Sequence, residues 1–446
     1  MKNSMGTRQG WLSGPIVLLA LVAARQPASA GEGDLDPSFG NGGVEITDFS
    51  GADDYAMGVV LQTDGRIVVV GRSGSSTFHS VVVRYASSGI PDDEFGDHGR
   101  VLADFSALGD QLNAVALQDD GRIVAVGSVV AGSRPVFLVT RFLADGSLDP
   151  SFGSLGAVAT GFGDLTASAN AVLVQPDGRI VAVGVSGAGA YSELNDFALA
   201  RYFPDGSLDT SFGNGGKVVT HFPGVDNTGS RANGVALQPD GKLLVSGAYK
   251  NEGTPRRLAL ARYHTDGTLD ATFGNQGRTT TTLGTGEALP GGIVVQSDGR
   301  IVLSGSSTTG RRNHDFALVR YDANGALDSG FGDGGRVIHD LFGTSDDIGY
   351  ALALQRDGKL IVSGRTGDYP NFEFGLARFL TDGELDTSFG DGGRVRTSLG
   401  GFSNQVFASA LRPDGRIVVA GYTITSSSDL VVARYLASTI PHVLRR

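Results

Sequence analysis

Cysteine is absent from the 446 residues of this chain. Its absence excludes disulfide bonds, a cysteine nucleophile and an anchor on a lipid-modified cysteine. A G-x-S-x-G elbow and a phosphate-cradling Gly-Lys-Ser/Thr motif are also missing. Histidine is scarce, and no two histidines have the spacing of metal ligands, so we expect no metal and no cofactor. The seven are His79, His98, His221, His264, His314, His339 and His442.

Residues 1–30 have the layout of a secretory signal peptide. Lys2 and Arg8 precede an apolar run over residues 11–24, and Ala28-Ser29-Ala30 follows. The run is short for a membrane span, which favours cleavage. A retained anchor is the alternative. Cleavage would remove three basic residues and take the net charge from −11 to −14. Such a surface repels nucleic acid and anionic lipid, so we expect no nucleic-acid partner. No second apolar run of comparable length follows, so we expect no membrane span after cleavage.

An Asp-Gly pair between two apolar runs recurs along the chain and predicts a tight β-hairpin each time. Gly accepts positive φ freely and Asp tolerates it, as a two-residue turn requires. A representative copy is Gln175-Pro176-Asp177-Gly178-Arg179-Ile180-Val181-Ala182-Val183-Gly184. Neighbouring turns are 56 to 63 residues apart, which indicates one unit used seven times. The turn aspartates are Asp64, Asp120, Asp177, Asp240, Asp298, Asp357 and Asp414.

The residue pattern of each unit predicts four antiparallel strands. The first is made of small residues, and the second is an almost continuous apolar run, as in a strand buried on both faces. The third ends in Arg and an aromatic residue, and the fourth is polar, as an exposed edge strand is. Seven units predict an all-β fold, a seven-bladed β-propeller of four-stranded antiparallel blades, with a β-helix or open β-solenoid as alternatives. Small residues that let inner strands crowd together are Gly58, Ala114, Ala171, Gly234, Gly292, Ala351 and Ala408.

We expect one domain over residues 31–436, in spite of the length, and a C-terminal tail over residues 437–446. The chain ends after a third strand, whereas residues 43–49 form a fourth-type strand before any other strand has appeared. This N-terminal outer strand is expected to complete the last blade and close the ring. The repeat units are placed at about residues 35–90, 91–147, 148–207, 208–268, 269–326, 327–384 and 385–435.

The segments QPDGRIVAVG, FALARY and LDTSFGNGG make the chain similar to the delta-60 repeat proteins. The resemblance covers residues 34–435. It implies a propeller-type fold, a bacterial protein secreted to the periplasm or the cell exterior, and no established activity. The seventh unit departs from the pattern, because Arg412 stands where the other six units have Gln.

One Arg of the third strand recurs in all seven units, and an Asp follows it eight residues later in the first six. Strand alternation puts this Arg among apolar side chains, where a charge needs a partner. We interpret the pairs as structural ion pairs rather than an anion-binding ring, with Asp36 as the seventh partner. Calcium binding by the turn and loop aspartates is a further alternative. The residues are Arg84, Arg141, Arg201, Arg262, Arg320, Arg378 and Arg434, with Asp36, Asp92, Asp149, Asp209, Asp270, Asp328 and Asp386.

Loops of constant length are expected at one face of the ring and loops of variable length at the other. Variable loops on a fixed scaffold usually carry recognition. The expected partner is therefore an unknown protein or glycan that contacts the variable face of a monomer. The residues expected to contact it are Asp53, Asp54, Asp226, Asp346, Asp347, Lys250, Arg256, Arg311 and Arg312.

Two functions follow from the predicted inner strands. Propeller enzymes usually place carboxylates or histidines there, whereas these seven strands carry no Asp, Glu, His, Lys or Arg. This favours a secreted or cell-surface binding or scaffold propeller that is not an enzyme. The alternative is a propeller enzyme of lactonase or lyase type with its site in the central channel. Asn113, Asn170 and Asn233 lie at one level and are expected to satisfy backbone groups.

Overall fold

A computed structural model describes residues 30–188, 195–223, 229–308, 313–343 and 345–437. Almost all of the predicted signal peptide and of the predicted C-terminal tail therefore lies outside the described residues. In these residues all regular secondary structure consists of β-strands. A helix long and apolar enough to cross a membrane does not occur in these ranges.

Twenty-eight strands are present in the described residues, in an order that follows the repeats. One short strand precedes six sets of four strands and a final set of three. The strands are β1 (Val44–Thr47), β2 (Asp53–Leu61), β3 (Ile67–Gly74), β4 (His79–Tyr85), β5 (Arg100–Ala103), β6 (Asp110–Leu117), β7 (Ile123–Ala131), β8 (Arg134–Phe142), β9 (Ala157–Thr160), β10 (Thr166–Val174), β11 (Ile180–Gly187), β12 (Asn195–Tyr202), β13 (Lys217–Thr220), β14 (Gly229–Leu237), β15 (Leu243–Lys250), β16 (Arg257–Tyr263), β17 (Arg278–Thr281), β18 (Ala288–Val295), β19 (Ile301–Thr308), β20 (His314–Tyr321), β21 (Arg336–His339), β22 (Ile348–Leu354), β23 (Leu360–Asp368), β24 (Asn371–Phe379), β25 (Arg394–Thr397), β26 (Ser403–Leu411), β27 (Ile417–Ile424) and β28 (Ser428–Tyr435).

The strands of one repeat pair antiparallel in chain order. We number the blades 1 to 7 by their inner strands, which are β2, β6, β10, β14, β18, β22 and β26. Blades 1 to 5 are separate four-stranded sheets. Blades 6 and 7 share an eight-stranded sheet, because Phe372 and Ser403 form one parallel bridge between β24 and β26. An all-β propeller of repeated four-stranded antiparallel units is confirmed.

Each inner strand contains an irregularity. In β2, which begins at Asp53, the pairing with β3 shifts between Ala56 and Gly58. A comparable shift in every inner strand leaves a bulge at that level. Beyond the bulge the inner strands of neighbouring blades approach closely, since a Cβ added to Gly58 of β2 would lie 3.1 Å from the Cα of Ala114 in β6. Small residues at this level permit that approach.

The hydrophobic core lies between neighbouring blades. Val183 and Phe197 of blade 3, for example, form one buried cluster with Leu243 and Val245 of blade 4. The second and third strands are buried on both faces, which explains their nearly continuous apolar sequence. Removing this apolar surface from water stabilises the fold by roughly 25 cal/mol per Å².

A repeated hydroxyl contact joins the aromatic end of the third strand to the preceding blade. Where that residue is Tyr, its hydroxyl contacts a Thr hydroxyl on the outer strand next to it, at 2.7 to 2.9 Å. Each of these phenols has a buried side chain, so the Thr supplies the hydrogen bond that burial demands. The pairs are Tyr85 with Thr47, Tyr202 with Thr160, Tyr263 with Thr220, Tyr321 with Thr281, and Tyr435 with Thr397.

The two ends of the described chain meet at blade 7. β1 pairs antiparallel with β28, with Val44 opposite Ala433 and Thr47 opposite Leu430. Val432 of β28 also belongs to one buried cluster with Val69 of blade 1. The first and last blades are therefore packed against each other.

Candidate active site

Each third-strand Arg forms an ion pair with the Asp expected for it. The distance from Nε to Oδ2 lies between 2.7 and 2.9 Å in all seven pairs. Each guanidinium also lies over the Phe of the following Asp-x-x-Phe-Gly segment, 4.4 to 4.7 Å from the ring centroid. Arg434 pairs with Asp36 at the other end of the chain. Because the arrangement is the same in every blade, it belongs to the scaffold.

A second cation, which sequence reasoning missed, reaches the same carboxylates. The basic residue that follows each Asp-Gly turn lies 2.8 to 3.3 Å from the Asp of its own blade. Burial opposes ionisation of these carboxyls, but hydrogen bonds and the cations outweigh it and lower the pKa of six of them. They are Asp36, Asp149, Asp209, Asp270, Asp328 and Asp386, the last with a pKa of about 2.

The bulged residues of the inner strands form a ring of unequal side chains. Asn113 donates from Nδ2 to the carbonyl of Ala169, and Asn170 donates to the carbonyl of Ala232, both at 2.8 Å. In these two blades the amide satisfies the backbone of the next inner strand, as expected from the sequence. Blades 6 and 7 instead carry Tyr350 and Phe407 at the bulge.

The repeated motif of the second strand ends in a glycine, which is Gly184 in blade 3. The residue after this glycine departs from the repeat in three adjacent blades. It is Arg365 in blade 6, Tyr422 in blade 7 and Arg72 in blade 1. Each pairs with a residue near the start of its inner strand, on the side of the variable loops. The four other blades have small residues there, namely Ser128, Val185, Ala248 and Ser306.

These residues belong to a cluster that we call the mouth cluster, because it lies where the inner strands begin, on the face of the variable loops. It consists of Tyr55, Arg72, Tyr350, Arg365, Gln405, Phe407 and Tyr422. Successive rings lie 5.0 to 5.8 Å apart, from Tyr350 to Phe407, Tyr422 and Tyr55. The rings therefore form one continuous aromatic surface across blades 6, 7 and 1.

A chain of polar contacts enters the mouth cluster from blade 5. His314 Nδ1 lies 2.9 Å from Asp346 Oδ1, and Asp346 Oδ2 accepts a hydrogen bond of 2.9 Å from Arg365 Nη2. Arg365 Nη1 and the Tyr422 hydroxyl both donate to Gln405 Oε1, at 3.3 and 3.4 Å. The chain joins three blades, and its contact between Arg365 and Gln405 recurs between blades 1 and 2 as Arg72 with Gln111.

The surroundings shift the pKa of a carboxyl and of two phenols in this region. Burial opposes ionisation of Asp346, but hydrogen bonds from His314 and the charge of Arg365 prevail and lower its pKa. Burial raises the pKa of Tyr350 and of Tyr422. Both phenols are therefore protonated donors. His314 has its Nδ1 fixed by a carboxylate, the arrangement that aims the opposite imidazole nitrogen at a reacting group.

The residues expected to contact a partner lie in different environments. Asp53 accepts a 3.0 Å hydrogen bond from the amide of Ser428. Asp54 and Asp347 are fully buried and accept the backbone amides of Phe49 and Leu341. The expectation that these two carboxylates contact a partner is wrong, because their oxygens hold the loops in place.

Two expected contact residues of blade 4 share an acidic neighbour. Lys250 Nζ lies 3.0 Å from Glu287 Oε1, and the amide of Arg256 donates to Glu287 Oε2 at 2.9 Å. Asp346, by contrast, belongs to the polar chain of the mouth cluster. Asp226, Arg311 and Arg312 lie outside the described residues.

The fold brings together one His and two carboxylates that are distant in the sequence. His79, Asp104 and Asp110 have ligand atoms within 4.8 Å of one another, as do Asp48, Asp54 and Asp429 where blades 7 and 1 meet. Asp110 already accepts two hydrogen bonds from Ser80 and two from the backbone of residues 105 and 106. Loop hydrogen bonding accounts for this group, and we assign no metal to it.

Comparison with known protein families identifies the repeats. The model described as a domain of unknown function (DUF5122) beta-propeller matches seven segments, which together make up more than half of the chain. No curated protein matches the sequence. The matched segments are residues 62–95, 118–152, 175–212, 238–273, 296–331, 355–389 and 412–438.

Solved structures with a similar fold include several lyases. Virginiamycin B lyase from Staphylococcus aureus superimposes with a TM-score of 0.51 at 10% identity, over 88% of this chain and 98% of that one. A streptogramin B lyase gives a TM-score of 0.51 at 11% identity, over 88% and 97%. The PL25 ulvan lyase, a polysaccharide lyase, gives 0.49 at 12% identity, over 92% and 94%. Likeness at this level of identity shows the fold alone.

The prediction of a non-catalytic binding or scaffold propeller, and of a protein that is not an enzyme, is wrong. The two lyases that share the fold with TM-scores above 0.5 favour the alternative of a propeller enzyme over the binding or scaffold interpretation. The error has a physical origin. The expectation of inner strands without charged residues is wrong, since β2, β6 and β14 include Asp53, Asp110 and Arg231. Polar side chains also reach the mouth from other strands, Arg365 and Tyr422 from second strands and His314 from a third strand.

Proposed function

Since the chain belongs to the family described as the DUF5122 beta-propeller, whose repeats build its scaffold, we propose that the residues outside the repeat pattern make it an enzyme. The proposed activity is that of a lyase. It eliminates a group from a carboxylate-bearing substrate at the mouth cluster, on the face of the variable loops.

One observation carries this proposal, the polar chain from His314 through Asp346, Arg365 and Gln405 to Tyr422. It places an oriented imidazole, a guanidinium and a protonated phenol along one side of the mouth. Elimination next to a carboxylate needs a base, a cation that holds the carboxylate, and an acid for the leaving group. The side chains of Arg365 and His314 are 20% and 21% exposed, so substrate can reach both.

The roles follow from the chemistry and the contacts of each group. The imidazole of His314 takes the proton from the carbon next to the substrate carboxylate, and that electron pair forms a double bond to the next carbon. The bond from that carbon to the leaving oxygen breaks, and the oxygen takes the proton of Tyr422. Arg365 stabilises the charge that develops on the carboxylate. Solvent then removes the proton from His314 and restores that of Tyr422.

A spectroscopic assay tests this activity. The full chain is incubated with uronate oligosaccharides and with O-acylated β-hydroxy acids, and the ultraviolet absorbance of the new unsaturated carboxylate is followed. We expect Tyr422→Phe and His314→Gln each to lower kcat by about 100-fold or more, as loss of general acid or base catalysis does.

Tyr249→Phe is the matched control for this assay. Its hydroxyl donates to the carbonyl of Pro223 in blade 4, remote from the mouth cluster, so this variant should keep the full rate. Absence of turnover with both substrate classes, or equal rates for Tyr422→Phe and Tyr249→Phe, would overturn the proposal. Cleavage of a lactone without a new double bond would indicate hydrolysis instead.

We also propose that β1 supplies the fourth strand of a seventh blade and thereby closes the ring. The pairing of β1 with β28 and the contact of Asp36 with Arg434 support this. Arg378 supports it as well, because its Nη2 lies 2.6 Å from Glu32 Oε2, whereas Arg262 donates to a carbonyl of the next blade. Membership of the delta-60 repeat proteins, bacterial secretion after cleavage near residue 30, and a monomeric state remain proposals that rest on the sequence.

A further inference from the structure

A cavity of about 720 Å³ lies between blades 3 and 4, among the Asp-Gly turns that follow their inner strands. It is found where β10 and β14 end, whereas the mouth cluster lies where the inner strands begin. Its volume is within the range of small-ligand sites. None of its lining residues belongs to the mouth cluster, so it is a separate cavity.

Two glutamines that line this cavity have side-chain oxygens without a hydrogen bond in the described part of the chain. They are Gln175 of blade 3 and Gln238 of blade 4, and Oε1 of each is buried. Gln238 is 7% exposed, so an unpaired oxygen there is costly. The corresponding oxygen of blade 2, Gln118 Oε1, accepts a hydrogen bond of 3.3 Å from Arg141. The two amides of the cavity lack such a protein partner, which favours a partner that enters from outside.

The apolar part of the lining distinguishes this pair of blades from the others. Pro precedes the turn Asp in blades 3, 4 and 7 alone, so blades 3 and 4 are the only neighbours that both have it. Pro176 and Pro239 both line the cavity, together with Leu237. In blades 1, 5 and 6 the glutamine oxygen is also unpaired, but Thr, Ser or Arg precedes the turn Asp there. The combination of two unpaired amides and two apolar rings is therefore particular to this cavity.

The charged residues of the lining are already paired. Asp177 forms an ion pair with Arg179, and Arg201 forms one with Asp209. Asp266 accepts hydrogen bonds of 2.9 and 2.7 Å within its own turn. The lining holds two carboxylates and two guanidiniums, so its formal charges cancel. An ionic ligand would find no free counter-charge, and the cavity therefore favours a neutral one.

We infer that this cavity binds a neutral saccharide of one or two rings, with hydroxyl groups at Gln175 and Gln238 and a C–H face against Pro176 and Pro239. A hydroxyl both donates and accepts, so it pairs with a terminal amide in either orientation. The terminal torsion of Gln is broad, which lets each amide turn towards the ligand. The inference goes beyond the proposed function, and it can hold whether or not elimination occurs at the mouth.

Saturation-transfer NMR titration of the full chain with cellobiose, maltose and lactose tests the inference. We expect at least one of the three to bind, and Gln238→Leu to weaken that binding by about tenfold, as loss of one hydrogen bond does. Gln62→Leu is the matched control, because Gln62 has the same unpaired oxygen in blade 1 but does not line the cavity. It should bind as the unaltered chain does. Binding of none of the three sugars, or an equal loss in both variants, would overturn the inference.

A second pair of variants tests the apolar contact. Pro239→Ser gives blade 4 the residue that blade 5 has at this position, so the fold should accommodate it. It should weaken the same disaccharide by about fourfold, which corresponds to one buried CH₂ group. Pro413→Ser in blade 7 should leave the affinity unchanged. Equal affinities of these two variants would refute the contact with Pro239. Gln238→Leu should also keep the elimination rate at the mouth, so this inference and the proposed function fail separately.

Discussion

Removal of residues 31–49 is expected to destabilise the whole propeller rather than to fray one blade. The deletion takes away β1, the carboxylate of Asp36 and that of Glu32, which is the second ion-pair partner of Arg378. Arg434 is 5% exposed and would be left without its counter-ion, and breaking a buried ion pair costs about 3–5 kcal/mol. Thermal unfolding of the truncated chain should therefore begin well below that of a chain starting at residue 31.

A synthetic peptide of residues 31–49 provides the control for this truncation. Added to the truncated chain, it should restore the melting temperature in proportion to its concentration, because it binds the folded form only. Asp36→Ala and Arg434→Ala should show non-additive losses in the free energy of unfolding. The same pair of substitutions at Asp209 and Arg201 gives the comparison within one blade. Melting of the truncated chain at the original temperature would contradict closure by β1.

Acid should unfold the protein over a narrow range of pH. The six scaffold aspartates have a pKa below the ordinary value of 3.8 in the folded chain. Their stabilisation is present above the unfolded pKa and is lost as pH falls towards the folded pKa, which for Asp386 is about 2. Each such carboxyl changes the free energy of unfolding by about 1.4 kcal/mol per pH unit in this window. Chemical denaturation at pH 5, 3.5 and 2.5 measures the slope across this window.

Asp386→Asn tests whether the scaffold carboxyls cause this slope. The variant should be less stable at pH 6 but should lose less on acidification, because Asn cannot titrate. Exchange of an exposed carboxylate such as Asp97, which is 96% exposed, should leave the slope unchanged. Equal slopes for the original chain and Asp386→Asn would show that other groups control acid unfolding.

The scaffold could be predicted because its signals are local and repeated. The Asp177-Gly178 turn, the apolar second strand and the pair Arg201 and Asp209 lie within one repeat and recur with a nearly constant period. The ion pair from Arg179 to Asp209 was not predicted, because these residues are 30 positions apart and only the folded blade joins them. Burial of Asp54 was missed for a related reason, since the loop that it supports gives no sequence signal.

The mouth cluster could not be assembled from the sequence. Its polar contacts connect residues 17 to 40 positions apart, in blades that the repeat makes look equivalent. One signal was available. The residue after the repeated glycine is small in four units but is Arg72, Arg365 or Tyr422 in three that the ring brings together. Reading the departures from the repeat, rather than the repeat itself, would have indicated the site.

The contacts at the meeting point of β1 and β28 also have a consequence for chain entropy. Contacts that join successive blades, such as Arg262 with the carbonyl of Ala323, close loops of about one repeat, 61 residues in that case. Arg434 and Asp36 are separated by 398 residues. Closing the longer loop costs about 1.7 kcal/mol more, because the entropy loss grows with the logarithm of loop length. The blades should therefore form in succession from neighbouring contacts, and the two ends should join last.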